Sequence, residues 1–139
     1  MSGNRWIAVG AVVAFFGVAF GAFGAHALEG MLIESKDDPG EKAKQLANWQ
    51  TGVRYQLVHA LGVIMIGIAS ERLRPRLANF SAYAMIFGVA LFSGCLYGWV
   101  LTGSKTLVMI VPLGGLSFLI GWLCLAVAAI GYHPVQKGK

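Results

Sequence analysis

Charged residues are scarce in this chain of 139 residues. Lysine, arginine, aspartate and glutamate together account for 12% of it, whereas 57% is apolar and the mean hydropathy is +0.67. Soluble domains carry about 25% charged residues, because their surfaces must be hydrated. The shortage of charge therefore excludes an ordinary water-soluble domain and places the chain among integral membrane proteins.

Cysteine is rare as well, and clustered basic residues are missing. Cys95 and Cys124 fall in different apolar runs, at depths that differ by more than the roughly 7 Å between Cα atoms that a disulfide can span. We therefore expect both thiols to be free. The formal net charge is +5, but no basic cluster is interleaved with aromatic residues, which argues against nucleic-acid binding.

Long apolar runs dominate the rest of the sequence. Three of them, residues 6–28, 77–101 and 107–130, exceed the roughly 18 residues that indicate a spanning helix. A fourth run, residues 57–70, reaches that length only if the polar residues just before it also enter the membrane. We therefore predict an all-α fold for residues 1–139, a single-domain integral membrane four-helix bundle with up-down-up-down topology. Its spans are expected at about residues 6–28, 53–70, 77–101 and 107–130.

The segment between the first two spans, residues 29–52, is polar at its start. Asp38, Pro39 and Glu41 have the types and spacing of an N-cap, a first helical residue and a capping-box acid, so we expect a helix to begin there. A helix from that point to Ser70 would be about 48 Å long, beyond the ~30 Å of the hydrocarbon. We predict a non-cytoplasmic loop and an interfacial helical extension before the second span.

The distribution of lysine and arginine predicts the orientation. With four spans, both termini and the turn at residues 71–76 lie on one side of the membrane. That side carries six cations and the other carries four: Arg5, Arg72, Arg74, Arg76, Lys137 and Lys139 against Lys36, Lys42, Lys44 and Lys105. The positive-inside rule then places both termini of this multi-pass protein in the cytoplasm of a bacterium, with the spans in its inner membrane, or in the matrix of an organelle.

Small residues recur along one face of the first span, at Gly10, Ala14, Gly17, Gly21 and Gly24. Alternating spacings of four and three keep them on a narrow stripe, which lets two helix backbones approach closely. The third and fourth spans carry similar rows. The rows predict a tight left-handed bundle with little central space.

One span contains residues that are costly to place in hydrocarbon. Arg54, Gln56 and His59 enter the second span, and such residues usually face partners instead of lipid, so we expect them to point into the bundle. Other unusual residues fall at similar depth in the same, non-cytoplasmic half of the membrane. Together they form the candidate ligand-binding set: His26, Arg54, Tyr55, Gln56, His59, Ser93 and Tyr97.

The simplest interpretation of this set is structural. The ring of His59 would then bond one of three partners: Ser93, Tyr97 or a backbone carbonyl near Pro112. Arg54 would pair with Glu29 or with a lipid phosphate.

Two chemical interpretations compete with the structural one. His26 and Glu29, three residues apart at a helix end, could form a metal or haem site together with His59, because imidazole and carboxylate suit several metals. Ser93 could act as a nucleophile with His59 as its base, although no carboxylate is placed to orient the histidine. The sequence therefore predicts no catalytic set and no defined metal site, and it identifies no cofactor.

Four ordered motifs resemble a known family. The resemblance is carried by Gly-Ala-Phe-Gly-Ala-His-Ala-Leu at residues 21–28, the block at 49–60 with Val-Arg-Tyr-Gln and His-Ala, Phe-Ser-Gly-Cys-Leu-Tyr at 92–97, and Pro-Leu-Gly-Gly at 112–115 followed by Gly-Trp. These motifs are similar to those of the domain-of-unknown-function 423 family, whose relatives include bacterial inner-membrane proteins and the animal mitochondrial transmembrane protein 256. The resemblance implies a small four-span membrane protein and supplies no activity, cofactor or catalytic residue.

We therefore expect a non-enzymatic membrane protein that acts as an interaction or accessory subunit, because the helices are tightly packed and a catalytic set is missing. Its partners would be the lipid bilayer and either another membrane protein or further copies of itself. The alternative is a binder or carrier of a small ligand, lipid, quinone or metal that uses the residues around Arg54 and His59.

Overall fold

The computed structural model describes residues 1–28, 30–31 and 38–130. Within these residues the chain forms four long helices: α1 (Gly3–Phe23), α2 (Pro39–Ile68), α3 (Pro75–Thr102) and α4 (Lys105–Ala129). A π-helical segment, Gly24–Leu28, continues α1, and a 3₁₀ turn, Ser70–Arg72, precedes α3. The described part of the chain contains no β-strand.

Each of the four helices is long and apolar enough to cross a membrane, α1 being counted together with its π-helical extension. The longest is α2, with 30 residues, and it is also the least apolar. At about 1.5 Å per residue it measures roughly 45 Å, more than the ~30 Å hydrocarbon core. The prediction of an all-α membrane bundle is therefore confirmed.

The start of α2 lies where the sequence predicts it. Asp38 is the N-cap, since its Oδ1 accepts the N–H of Gly40 at 2.9 Å, and Pro39 occupies the first helical position. The helix then runs without interruption to Ile68, so the polar segment before the second apolar run belongs to the same helix. Residue 29 and residues 32–37 of the predicted loop lie outside the described residues.

Each helix packs mainly against its neighbours in sequence, α1 against α2, α2 against α3 and α3 against α4. The helices alternate in direction, so the bundle has two ends. The terminal end holds Gly3, Ile68, Pro75 and Ala129, and the loop end holds Phe23, Pro39, Thr102 and Lys105. Two helices, α1 and α4, flank the central pair, and few of their side chains are buried.

Glycines let neighbouring helices approach closely. Four of them recur every seven residues along the first span, the repeat of a left-handed helix pair: Gly3, Gly10, Gly17 and Gly24. A Cβ at Gly10 would lie 2.6 Å from Cγ1 of Ile64 and 2.8 Å from the carbonyl oxygen of Ala60. Between α3 and α4, a Cβ at Gly114 would collide with the backbone of Phe92. The small-residue rows seen in the sequence therefore lie at helix contacts.

Two apolar clusters fill the interior. The larger, toward the terminal end, includes Trp6, Val63 and Met85, all of them almost fully buried. The smaller, toward the loop end, is made of Leu28, Trp49, Tyr97 and Val100. The stretch of α2 between Trp49 and Val63 separates the two clusters, and most of the candidate residues lie at this level.

Candidate functional site

One seam of α2 carries the buried polar residues. It is a row spaced alternately four and three residues apart: Gln45, Trp49, Gly52, Gln56, His59, Val63 and Ile66. This spacing keeps a helix facing its neighbours along its whole length. Gln56 and His59 are inside the bundle because they fall in this row. Together with Ser93 and Tyr97 of α3, also buried, they form what we call the polar layer.

His59 uses both ring nitrogens within the protein. Its Nδ1 lies 2.7 Å from the carbonyl oxygen of Tyr55, and its Nε2 lies 3.1 Å from the indole nitrogen of Trp122. Because an indole N–H can only donate, Nε2 must accept, so Nδ1 carries the proton and donates to the carbonyl. The ring is 4% exposed and stacks on Phe118 with centroids 3.5 Å apart. The partners predicted for His59 are wrong, since its ring nitrogens bond Tyr55 and Trp122 instead.

Gln56 joins three helices. Its Nε2 donates to the carbonyl of Val13 in α1 at 2.9 Å, and its Oε1 accepts from the hydroxyl of Tyr97 in α3 at 2.9 Å. Both side chains are buried. The pair therefore connects α1, α2 and α3 at one level of the bundle.

Ser93 does not contact His59 in the way that a nucleophile would contact its base. Its hydroxyl donates to the carbonyl of Gly52 at 2.8 Å and is 1% exposed. A base must hydrogen-bond the hydroxyl that it activates. The geometry of these two residues thus offers no support for a serine nucleophile.

Arg54 lies on the surface of the bundle, so the expectation that it points inward is wrong. It stands two residues before Gln56, about 200° around the helix, and therefore on the face away from the buried row. There it lines a shallow cavity of about 360 Å³ beside Gly21 and Gln50. A charge in this position reaches the membrane surface by extending its side chain along the helix. Its predicted partner Glu29 lies outside the described residues.

The other two candidates also have exposed side chains. His26 is exposed in the π-helical segment at the loop end. Tyr55 is 41% exposed, and its ring stacks on that of Phe92 with centroids 4.4 Å apart. The structure therefore brings Gln56, His59, Ser93 and Tyr97 to one level inside the bundle, with Tyr55 beside them, and leaves His26 and Arg54 apart.

The metal-site hypothesis rests on Glu29, which the structure does not describe. Within residues 1–28, 30–31 and 38–130, no three or more His, Cys, Asp or Glu side chains are grouped so that they could hold a metal ion. The two cysteines are free in this part of the chain, as the depth argument predicts.

Two residues with informative positions were missed in the sequence. Trp122 donates to His59 from α4, and only the packing of α4 against α2 reveals this. Gln45 is 1% exposed, although it lies in the polar first half of α2. A signal for it exists, because Gln45 begins the same alternating row that contains Gln56 and His59.

Comparisons with known proteins agree on one group. A family model described as a protein of unknown function (DUF423) matches residues 20–115. The chain is 38% identical over 128 residues to the UPF0382 membrane protein YwdK of Bacillus subtilis, covering 91% of this chain and 97% of that protein. It is 37% identical over 123 residues to a UPF0382 membrane protein of Haemophilus influenzae, covering 88% and 91%.

A further relative is named for its location. The UPF0382 inner membrane protein YgdD of Escherichia coli is 32% identical over 130 residues, which cover 94% of this chain and 92% of that protein. No solved structure matches the chain significantly.

Proposed function

Since the chain belongs to the DUF423 family, whose relatives are named as membrane proteins without an activity, we propose that it is a non-enzymatic interaction or accessory subunit of a bacterial inner membrane. In this role the polar layer holds the helices in one arrangement, so that the bundle presents a fixed surface to its partner. The partner is another membrane protein or a second copy of the chain. Lipid covers the exposed apolar side chains wherever the partner does not.

The observation that supports this proposal is the hydrogen bonding of the polar layer. Every polar group of Gln56, Ser93 and Tyr97 that could do chemistry has a partner on another helix, and the lone pair of His59 accepts from Trp122. A general base needs a free lone pair that reaches a substrate, and a nucleophile needs a free hydroxyl. These residues instead bond neighbouring helices together, which is what a structural role requires.

The exposed members of the candidate set have a different role in this proposal. Arg54 and His26 lie on the surface of the half of the bundle that contains the loop end. There the guanidinium of Arg54 can bind lipid phosphate at the membrane surface without entering the bundle, and a ring N–H of His26 can donate a hydrogen bond to the same group. We therefore assign them to lipid headgroups, and we do not assign a joint binding site to Arg54 and His59.

The proposed orientation places the terminal end in the cytoplasm and the loop, with the first turns of α2, outside it. The support is the excess of cations at the terminal end, where Arg5, Arg72, Arg74 and Arg76 lie. Fusions at the C-terminus test this proposal. A fluorescent protein that matures only in the cytoplasm should be bright, and alkaline phosphatase should be inactive; the reverse pattern would refute the orientation.

Purification in nanodiscs formed directly from native membranes tests the role. A partner protein or a second copy is expected at a constant ratio with the wild type and with His59→Gln. The variant should also show a lower melting temperature, because it cannot keep both bonds of the imidazole. His26→Gln is the matched control, and since His26 is exposed its melting temperature should not change.

A ligand would give a different result. If the wild type retains a metal, haem or quinone that His59→Gln loses while the variant stays folded, the chain is a ligand binder and the proposed accessory role is refuted.

A further inference from the structure

A cavity of about 730 Å³ lies at the loop end, between the first turns of α2 and the ends of α3 and α4. We call it the loop-end cavity. Its α2 wall is polar and includes Lys44 and Gln45. The opposite wall is largely apolar, with Leu96 from α3 and Val108 and Met109 from α4. Lys105, the first residue of α4, also lines the cavity. One side of the cavity therefore suits a polar group and the other an apolar one.

Gln45 is one of the residues that line this cavity, and it carries an unpaired acceptor. The residue is 1% exposed, and its Oε1 has no hydrogen-bond partner. No other buried side-chain nitrogen or oxygen in the described residues lacks one. Buried amide oxygens in native proteins are nearly always paired, because an unpaired acceptor loses its hydration without compensation. The missing partner must be an N–H or O–H donor, since a carbonyl oxygen can only accept.

The other amide side chain in the cavity wall does not supply that donor. Asn48, one turn along α2, donates its Nδ2 to the carbonyl of Lys44 at 2.7 Å. A donor from outside the chain would satisfy Gln45.

Two tryptophans near the cavity indicate its depth in the membrane. Gln45 is one turn closer to the loop end than Trp49, whose indole donates to the carbonyl of Phe20 near the end of α1. Trp99, near the end of α3, also lines the cavity. Tryptophan collects at the boundary between hydrocarbon and headgroups. A molecule in this cavity would therefore meet both environments.

Charge and exposure narrow the class of molecule. Lys44 and Lys105 line the cavity and are exposed, so they can bind a phosphate. Asp38 and Glu41 line it as well, so the lining carries both signs of charge and suits a headgroup that combines a phosphate with a hydrogen-bond donor. Val108 and Met109 are 42% and 79% exposed, so the apolar wall continues into the exposed apolar surface of α4. An occupant with a donor, an anionic group and an apolar chain fits all of these features.

We propose that the loop-end cavity binds a phospholipid whose headgroup carries an N–H or O–H donor, as phosphatidylethanolamine and phosphatidylglycerol do. The donor binds Oε1 of Gln45, the phosphate binds Lys44 and Lys105, and an acyl chain lies along Val108 and Met109. Phosphatidylcholine carries the same phosphate but has no donor in its headgroup. It therefore leaves Gln45 unpaired, and the cavity discriminates against it.

The test is native mass spectrometry of the full chain after equilibration with equal amounts of the three lipids, all with identical acyl chains. The wild type is expected to retain phosphatidylethanolamine or phosphatidylglycerol about tenfold over phosphatidylcholine. A tenfold ratio corresponds to about 1.4 kcal/mol, which is within the range of one hydrogen bond. Equal retention of all three lipids would show that no headgroup donor binds Gln45, and it would overturn the proposal.

Two substitutions in α2 test whether Gln45 is responsible for the lipid preference. Gln45→Met keeps the length of the side chain and removes the acceptor, so the three lipids should be retained equally, with a melting temperature in detergent that is unchanged or raised. Gln50→Met is the matched control on the same helix, because Gln50 is exposed and does not line this cavity, and it should keep the wild-type preference. A preference that survives in Gln45→Met would overturn the proposal.

A second variant decides the result even if Gln45→Met does not fold. Lys105→Gln changes an exposed side chain and should lower the retention of all three lipids several-fold, because it removes a contact to their common phosphate. Unchanged retention in Lys105→Gln would contradict the phosphate contact. This result does not depend on the accessory role, since lipid retention is measured on the purified chain alone.

Discussion

Replacing Tyr97 by phenylalanine is expected to lower the free energy of unfolding by about 1–1.7 kcal/mol. The tyrosine hydroxyl donates to Oε1 of Gln56 at 2.9 Å, and the two side chains are 7% and 4% exposed. Leaving a buried acceptor unpaired costs about 1–3 kcal/mol, whereas hydrogen bonds between helices in membranes contribute at most about 1.7 kcal/mol. The ring still packs on Trp49, at a centroid distance of 4.6 Å, so little packing energy is lost.

Reversible unfolding in mixed detergent micelles measures this change. Tyr83→Phe is the matched control, because Tyr83 is 55% exposed, and its free energy of unfolding should change by less than about 0.5 kcal/mol. A double-mutant cycle with Gln56→Leu isolates the bond itself. Since the two residues share one hydrogen bond, the double variant should lose at least about 0.5 kcal/mol less than the sum of the single losses. Additive losses, or equal losses for Tyr97→Phe and Tyr83→Phe, would refute the structural role of the polar layer.

Two further substitutions test other parts of the structure. Gly10→Ala should lower the free energy of unfolding by about 1–3 kcal/mol, because the added Cβ meets backbone as well as side-chain atoms of α2; in Gly115→Ala the Cβ would be 3.9 Å from the nearest side chain, so this control should show a much smaller loss. If Gly10→Ala and Gly115→Ala lose the same free energy of unfolding, the close contact between α1 and α2 does not cause the loss in Gly10→Ala. Arg54→Leu should change the free energy by less than about 0.5 kcal/mol, because the side chain is exposed; a loss of about 3–5 kcal/mol would show that the arginine is paired inside the bundle.

The spans and one helix start could be predicted from the sequence because they depend on local properties. Apolar runs of sufficient length give spanning helices whatever their neighbours are, and three of the four candidate spans found in the described residues come from such runs. The Asp38 cap needs only the backbone next to it, and the helix begins there as expected. The small-residue row of α1 is also local in the sequence, and its glycines do meet α2.

The orientation of polar side chains was harder to predict, because it depends on the direction around a helix as well as on depth. Arg54 and Gln56 have almost the same depth, yet Arg54 is exposed and Gln56 is buried. The alternating row on α2 identifies which residues are buried. Polar residues interrupt this row, however, so a search for apolar residues alone does not find it. The partner of His59 could not be found from α2 at all, since Trp122 is 63 residues away on α4.

The packing of each helix on its neighbours in sequence has a consequence for biogenesis. Contacts of this kind become available in the order in which the ribosome delivers the chain, so α1 can pair with α2, and α3 with α4, as two hairpins soon after each leaves the translocon. In the second hairpin, the hydroxyl of Ser81 in α3 donates to the carbonyl of Gly121 in α4 at 2.7 Å and so links the two helices. Joining the hairpins then forms the bonds of Gln56 with Tyr97, His59 with Trp122 and Ser93 with Gly52. The step that brings the two hairpins together is therefore the one that completes the pairing of the polar groups of α2.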